Sequence, residues 1–245
     1  MRLLILFFLF FNILFAIDEI DLNFFTEPHF KIKNIEEIKI NIESKTQNDT
    51  IRHYNFFAGK ILEKSASDDE IVEFLNVVDC AYCTPTDYSF DPHYRDLLFK
   101  LLASNISGNF RNLISYKVIE TDSMKIGIMA IYSPDFAVKN NISDLTEFDL
   151  DVFGVTKELS QKLQKKTNFI ILLSNLSKYI DDDLVENLPI DVVISFDYQP
   201  KKNEMLSNKR TFWYGIKTFK NKFGKLRLTY QSGKISYKWH KVKLK

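Results

Sequence analysis

Two short apolar runs constrain the fold of this chain more than any other feature. They are Phe169 to Ser174 and Asp191 to Ser195, and each follows a segment with helical spacing. A helix is expected from Thr156 to Lys165 before the first run, and another, begun by the acidic residues 181–183, before the second. Apolar runs of this length are typical of parallel strands covered on both faces. Strands that alternate with helices in this way predict an α/β fold.

The remaining segments continue this alternation. Alternating or apolar runs predict strands at residues 20–26, 52–58, 79–83, 116–120, 125–132, 211–217, 225–230 and 235–243. Helical spacing predicts helices at residues 34–44, at residues 68–76, and around four leucines, Leu97, Leu98, Leu101 and Leu102. A polar turn at Thr121-Asp122-Ser123 joins two of the strands into a hairpin. The expected architecture is a sandwich of sheets flanked by helices.

The composition fits one globular domain. Of the 245 residues, 45% are hydrophobic and 27% are charged, which is enough apolar material for a sizeable core. Only 7 Gly and 6 Pro occur, and no segment resembles another, so neither a flexible linker nor a repeat array is indicated. A single domain is therefore expected over residues 18–245.

The first residues have the pattern of an export leader. Met1-Arg2 precedes an apolar run from Leu3 to Ile17, and acidic residues follow at once. This pattern is typical of a signal peptide, and the run is shorter than the ~20 residues that span a bilayer core. The alternative is an uncleaved N-terminal anchor, because Leu14 is a poor match to the small residue expected there for cleavage after Ala16. Either leader predicts export to a periplasm or a cell surface.

Charge is distributed unevenly along the chain. Residues 200–245 contain 14 Lys or Arg and one acid, Glu204, whereas residues 1–199 carry a net charge of −12. One interpretation is that the basic segment contacts an anionic ligand or surface. The favoured interpretation is a solvated strand face, because the lysines alternate with apolar residues in 225–228 and 238–244. No nucleic-acid motif is present, and the pattern does not identify a partner.

The only two cysteines have the spacing of a redox dithiol. They lie in Cys80-Ala81-Tyr82-Cys83. Redox dithiols work at the start of a helix, where the helix dipole lowers the thiol pKa, but this segment is predicted as a strand. Side chains three residues apart on a strand point to opposite faces. The expectation is two separated, non-catalytic core cysteines.

Several phrases of the sequence occur in the order and spacing of a known family. They are Phe74-Leu75-Asn76 before Val78-Asp79, Ala103-Ser104-Asn105-Ile106, the paired segments 116–120 and 124–128, and Tyr214-Gly215 before Phe223-Gly224-Lys225-Leu226. Together they resemble the N-terminal metallophosphoesterase (calcineurin-like) domain of the bacterial 5′-nucleotidase family, over most of residues 20–244. The resemblance implies an α/β/β/α sandwich of two mixed sheets flanked by helices, and a hydrolase with two metal ions. The expected domain lacks the family's C-terminal nucleotide-binding domain.

The metal-ligand motifs of that family are degenerate here. The five motifs T-N-D-x-H-G, G-D, G-N-H-E, L-S-H and G-H-x-H correspond to segments beginning at Thr26, Gly59, Thr84, Leu173 and Phe196. The degenerate positions are Pro28, Lys60, Pro85, Thr86, Asn175, Asp197 and Gln199. At position 60 an ammonium replaces the carboxylate that bridges both cations, which turns an attraction into a repulsion. The resemblance therefore predicts a pseudoenzyme without catalytic residues or a cofactor, acting by binding or as a structural protein.

Two site hypotheses remain open beside this interpretation. The first is a phosphoric-ester (nucleotide) hydrolase with a rebuilt site for a single Zn or Mn ion, with the candidate ligands His29, Asp87, Asp91, His93 and Asp197. The second is an anion site in which Lys60 acts as a surrogate cation, with Ser174 and Asn175 as hydrogen-bond donors. The alternative to this anion site is a structural ion pair from Lys60 to Asp87 or Asp197, which would leave the ammonium unavailable to a ligand.

Overall fold

The computed structural model describes residues 17–26, 35–46, 51–58, 67–77, 80–84, 100–108, 113–139, 146–196, 204–205, 211–215 and 222–244. In these ranges the strands are β1 (Asp18–Thr26), β2 (Arg52–Ala58), β3 (Cys80–Cys83), β4 (Lys100–Leu102), β5 (Ile106–Gly108), β6 (Leu113–Ile114), β7 (Tyr116–Glu120), β8 (Lys125–Ile131), β9 (Thr146–Phe148), β10 (Phe169–Ser174), β11 (Val192–Ser195), β12 (Glu204–Met205), β13 (Phe212–Gly215), β14 (Lys222–Gln231) and β15 (Lys234–Lys243). The helices are α1 (Ile35–Thr46), α2 (Asp68–Val77), α3 (Pro134–Lys139), α4 (Val152–Gln164) and α5 (Lys178–Val185). None of these helices is long and apolar enough to cross a membrane.

The strands form two mixed sheets of similar design. The first has seven strands in the order β15-β14-β1-β2-β3-β4-β6, and the second has six in the order β12-β13-β11-β10-β8-β7. In the first sheet β1, β2, β3, β4 and β6 are parallel, and β14 and β15 are antiparallel at one side. In the second, β8, β10, β11 and β13 are parallel, between the antiparallel strands β7 and β12. A third, two-stranded sheet pairs β5 with β9.

Alternation of side chains along the strands produces the layers. Leu22 on β1, Phe56 on β2, Ile171 on β10 and Ile194 on β11 belong to one buried cluster between the two large sheets. The residues next to them in sequence point to the outer faces. Helices α1 and α2 cover the outer face of the first sheet, and α4 and α5 cover that of the second. The predicted α/β/β/α sandwich of two mixed sheets flanked by helices is confirmed.

The helix predicted around Leu101 and Leu102 is wrong, because both residues belong to the parallel strand β4. Leu101 packs into the cluster under α1 and α2, while Leu102 packs between the sheets. Consecutive leucines buried on opposite faces produce an apolar run that periodicity alone does not distinguish from a helix. Leu97 and Leu98 lie outside the described residues.

The strand β15 explains part of the charge asymmetry. Its residues alternate between exposed and half-buried over most of its length. Trp239 points inward, where its ring stacks on Tyr214 with centroids 4.6 Å apart, and its neighbours Lys238 and His240 are exposed. Lysines on an edge strand discourage its unpaired backbone groups from pairing with another chain. The alternation agrees with the solvated-face interpretation, whereas the anionic partner stays a prediction.

One buried charge links side chains of the neighbouring strands β1 and β14 in the first sheet. The Asp21 side chain is 1% exposed and accepts two hydrogen bonds of 2.8 Å from Arg227. Lys225 approaches the same carboxylate to 3.2 Å, and its ammonium also donates to the carbonyl of Lys45 at the end of α1. Burial tends to raise the pKa of Asp21, but the hydrogen bonds and charges of Arg227 and Lys225 outweigh it and lower the pKa. This carboxylate is therefore fully compensated.

Candidate functional site at the carboxyl ends of the parallel strands

The carboxyl ends of the parallel strands of both sheets meet at one edge of the sandwich. The backbone N–H of Ser104, just after β4, donates to the carbonyl of Ala130 on β8 at 2.7 Å. Ligands of open α/β sheets bind outside the carboxyl ends of the strands. We call this region the carboxyl-end edge; its described polar members are Thr84, Asn105, Tyr132, Ser133 and Asn175.

Asn105 joins the two sheets at this edge. Its Nδ2 group donates to the Tyr132 carbonyl at 2.9 Å, and its Oδ1 accepts from the Tyr132 N–H at 3.0 Å. The same Nδ2 group donates to the carbonyl of Asp149 at 3.3 Å. The side chain thus satisfies both backbone groups of a buried residue, as a neighbouring strand would. The phrase around Asn105 was noted in the sequence, but this role was not predicted.

Replacing Asn105 with alanine is expected to lower the free energy of unfolding by about 2–6 kcal/mol. The change leaves two buried backbone groups of Tyr132 without partners, each costing roughly 1–3 kcal/mol. Urea unfolding followed by tryptophan fluorescence measures the loss. Ser107→Ala is the control, because Ser107 is exposed and its bond to Glu147 is long, at 3.5 Å. Equal stability of the two variants would contradict the role given to Asn105.

Asn175 lies directly after β10, and its side chain turns back toward the protein. Its Oδ1 accepts from the Ser133 hydroxyl at 3.1 Å and from the Ser133 N–H at 3.4 Å. Its own N–H donates to the carbonyl of Ile131 at 2.9 Å, so the backbone is fixed as well. Within the described ranges no partner is seen for its Nδ2 group. The amide nitrogen, rather than the oxygen, is the group left for a ligand.

Ser174 does not fit the anion-donor role suggested from the sequence. Its hydroxyl is fully buried and donates to Asp181 Oδ1 at 2.5 Å, while it accepts from the N–H of Leu176 at 3.0 Å. Alternation along β10 explains this. Ile170 and Leu172 pack against the helices on the outer face, and Ser174, two residues further along the strand, points to the same face. The serine therefore secures α5.

Asp181 is a buried carboxyl group between Ser174 and Trp213. Trp213 donates from Nε1 to Asp181 Oδ2 at 2.8 Å. Burial raises the pKa of Asp181 to about 7, although the hydrogen bonds from Ser174 and Trp213 act in the opposite direction. The sequence placed Asp181 at the start of a helix. The helix instead begins at Lys178, which brings Asp181 one turn later onto the buried face.

Tyr132 and Thr84 are buried hydroxyl residues that sequence reasoning did not select. They follow β8 and β3 at the carboxyl-end edge, and Thr84 donates its backbone N–H to the Phe57 carbonyl at 2.8 Å. Burial raises the pKa of Tyr132 well above its usual 10, with a smaller opposing effect of the Thr84 side chain. Tyr132 is therefore a neutral phenol at ordinary pH. The only sequence signal for Tyr132 was a phenol hydroxyl at the end of an apolar strand.

The separation predicted for the two cysteines is wrong. In β3, Cys80 lies opposite Asn55 and Tyr82 lies opposite Phe56, so Ala81 is an extra residue in the pairing. This β-bulge resets the alternation of the side chains. Cys83 and Cys80 therefore face the same outer cluster, and their sulfur atoms are 2.8 Å apart. Burial and the neighbouring Cys80 raise the pKa of Cys83 well above its usual 9.0, the reverse of a catalytic thiol.

The other candidate positions lie outside the described residues. They are Pro28, His29, Lys60, Pro85, Thr86, Asp87, Asp91, His93, Asp197 and Gln199. Among the described residues, no three His, Cys, Asp or Glu side chains are grouped to hold a metal ion. The described donors at the carboxyl-end edge are hydroxyl and amide groups, with the Asn175 oxygen already occupied. The carboxylate and imidazole candidates that a metal centre would need, His29, Asp87, Asp91, His93 and Asp197, are all among the positions outside the described residues.

Solved structures share the fold over nine-tenths of the chain. A 5′-nucleotidase precursor of Thermus thermophilus has a TM-score of 0.72 at 14% identity, covering 92% of this chain and 54% of that one. Sulfate thiohydrolase SoxB of the same organism has a TM-score of 0.72 at 11% identity, with 93% and 57% covered. The NAD nucleotidase NadN of Haemophilus influenzae has a TM-score of 0.67 at 15% identity, again with 93% and 57% covered.

The chain thus spans a little over half the length of each of these proteins. No protein-family model and no curated protein matches the sequence. Likeness at such low identity shows the fold, and the metallophosphoesterase-like fold implied by the order of the sequence phrases is confirmed.

Proposed function

We propose that this chain is an exported phosphoesterase-fold protein that acts by binding or as a structural protein and does not hydrolyse phosphate esters. Asn175 is the main support. It follows β10 where the L-S-H phrase of the resembling family has histidine, and its amide oxygen is occupied by Ser133. An amide oxygen held in this way offers little to a cation, whereas imidazole nitrogen is a common metal ligand.

The sequence of the remaining motifs supports the same proposal. Proline at positions 28 and 85 has no side-chain atom that could coordinate a metal ion. Lys60 carries a positive charge where the family has the bridging carboxylate. The ammonium of Lys60 and the amide N–H of Asn175 are hydrogen-bond donors. These motifs therefore suit an anionic ligand better than a cation. An anionic ligand, bound without chemistry, is the class that this proposal favours.

Purified full-length chain is expected to show no hydrolysis of AMP or p-nitrophenyl phosphate above a heat-killed control. The assay includes manganese, zinc and cobalt in turn. Lys60→Asp alone should not restore turnover, since the other ligands are still replaced. Metal analysis of the same preparation is expected to find less than one bound ion per chain.

The rebuilt-site hydrolase makes the opposite prediction. Stoichiometric bound metal, together with metal-dependent turnover that Asp87→Asn or His93→Ala abolishes, would replace the binding proposal with that of a hydrolase. Glu147→Gln is the control for these variants, because Glu147 is an exposed acid on β9.

Export is the part of the proposal that rests on the leader alone. Mass spectrometry of the native protein is expected to find an N-terminus near Ile17. Recovery of intact Met1 from a soluble cytosolic fraction would count against it.

A further inference from the structure

The cysteine pair on β3 has a geometry that an ordinary strand does not provide. Three residues along a regular strand separate two Cα atoms by roughly 10 Å, beyond the ~7 Å over which a disulfide forms without backbone movement. The bulge at Ala81 makes β3 irregular and brings the side chains of Cys80 and Cys83 to one face. Their sulfur atoms are in contact at 2.8 Å.

The two thiols differ in access. Cys80 is half-buried, whereas Cys83 is 3% exposed among aromatic and aliphatic side chains. A reagent from solvent therefore reaches Cys80 first. Once Cys80 is modified, Cys83 is the only other thiol in the chain, and it is already in contact with it.

We propose that Cys80 and Cys83 form a reversible intramolecular disulfide, a redox modification site next to the carboxyl-end edge. The oxidant is a small disulfide such as oxidised glutathione. The Cys80 thiolate attacks one sulfur of this disulfide and releases one glutathione thiolate, leaving a mixed disulfide on Cys80. The Cys83 sulfur gives up its proton, attacks Cys80 Sγ and releases the second glutathione. The protein loses two hydrogen atoms, and one oxidised glutathione becomes two reduced molecules.

The site is placed to affect the carboxyl-end edge. Cys83 is the last residue of β3, and Thr84 follows it at once with its N–H bonded to Phe57 on the neighbouring strand. A disulfide across the bulge restrains the backbone that leads into Thr84. The pairing of β3 with β2 and β4 is made by the backbone and not by the thiols, so we expect oxidation to change the stiffness of this segment rather than the fold.

The experiment titrates reduced full-length chain with oxidised glutathione under native conditions. Intact mass and thiol counting after denaturation are expected to show loss of both thiols and of two hydrogen atoms, with no glutathione retained. Because the chain has only 2 cysteines, no mapping of the bond is needed. Retention of both thiols, a stable glutathione adduct on the wild-type chain, or a covalent dimer would overturn the proposal.

Two further measurements separate a built site from mere sequence proximity. The equilibrium constant for oxidation is expected to be at least about tenfold larger in the native chain than in urea, and an equal or smaller native constant would contradict a role for the bulge. Cys83→Ser is expected to trap the mixed disulfide on Cys80, and Cys80→Ser to react at least about tenfold more slowly. If either variant fails to fold, the wild-type comparison with urea still decides the matter.

Discussion

Replacing Asp21 with asparagine is expected to lower the free energy of unfolding by about 3–5 kcal/mol, the usual cost of removing one partner of a buried ion pair. Asparagine keeps the size of the side chain but removes its charge. The side chains of Arg227 and Lys225 are 32% and 14% exposed, and their charged groups would remain without their common counter-charge. Denaturant unfolding at neutral pH measures the effect.

Glu120→Gln is the matched control for the Asp21 variant. Glu120 also pairs with a lysine, Lys125, at 3.4 Å, but both side chains are more than half exposed. Exposed pairs contribute at most about 1 kcal/mol. A loss for Asp21→Asn no larger than that of the control would mean that the cluster adds nothing beyond a surface ion pair.

The stabilisation that the Asp21 ion pairs provide is expected to decrease at low pH. The folded-state pKa of Asp21 is below its ordinary value of 3.8, so the unfolded chain takes up a proton first as the pH falls. The stabilisation is fully present above about pH 4 and is lost as the pH drops through the lowered folded-state pKa. The Asp21→Asn variant should lack this part of the acid sensitivity.

Asp181→Asn is expected to change the pH dependence of stability between about pH 4 and pH 7. In the wild-type chain the folded-state pKa of Asp181 is about 7 against an ordinary 3.8, so the folded state keeps a proton that the unfolded chain has released. This contribution is full below pH 3.8 and falls as the pH rises toward 7. The total change is on the order of 4 kcal/mol at about 1.4 kcal/mol per pKa unit.

The measurement is the unfolding free energy of wild type and variant at several pH values. The difference between the two curves should slope with pH over that interval and become flat above about pH 8. Asp183→Asn serves as the control, because Asp183 lies on the same helix with an exposed side chain. Parallel curves for wild type and Asp181→Asn would show that the buried carboxyl group stays charged throughout.

Local sequence patterns predicted much of the fold because buried strands have a distinctive apolar composition. The apolar runs at β10 and β11 and the hairpin from β7 to β8 are confirmed. The error at Leu101 and Leu102 has the same origin, since double-sided burial erases the period that separates a strand from a helix. The roles of Asp21 and Asp181 could not be assigned in advance, because Arg227 and Trp213, which donate hydrogen bonds to them, lie 206 and 32 residues away.

The candidate site was less predictable, because its details depend on neighbours rather than on residue type. The strand at Cys80 and Cys83 was predicted correctly, but a single extra residue relative to β2 reversed the side-chain geometry. Asn105 and Ser174 show the same limit. An amide and a hydroxyl can serve a ligand or the backbone, and only the position of Tyr132 and Asp181 decides which.

The position of β1 between β14 and β2 has a consequence for the synthesis of the molecule. Asp18 pairs with Tyr230 in this sheet, so one side of β1 is unpaired until β14 has been made. A ribosome must therefore deliver nearly all of the described strands before the first one is enclosed and the Asp21 charge is neutralised. Closing so long a loop is slow, and the growing chain exposes an unpaired strand edge meanwhile. The edge of β1 therefore stays open to pairing with another chain until the hairpin of β14 and β15 has been made.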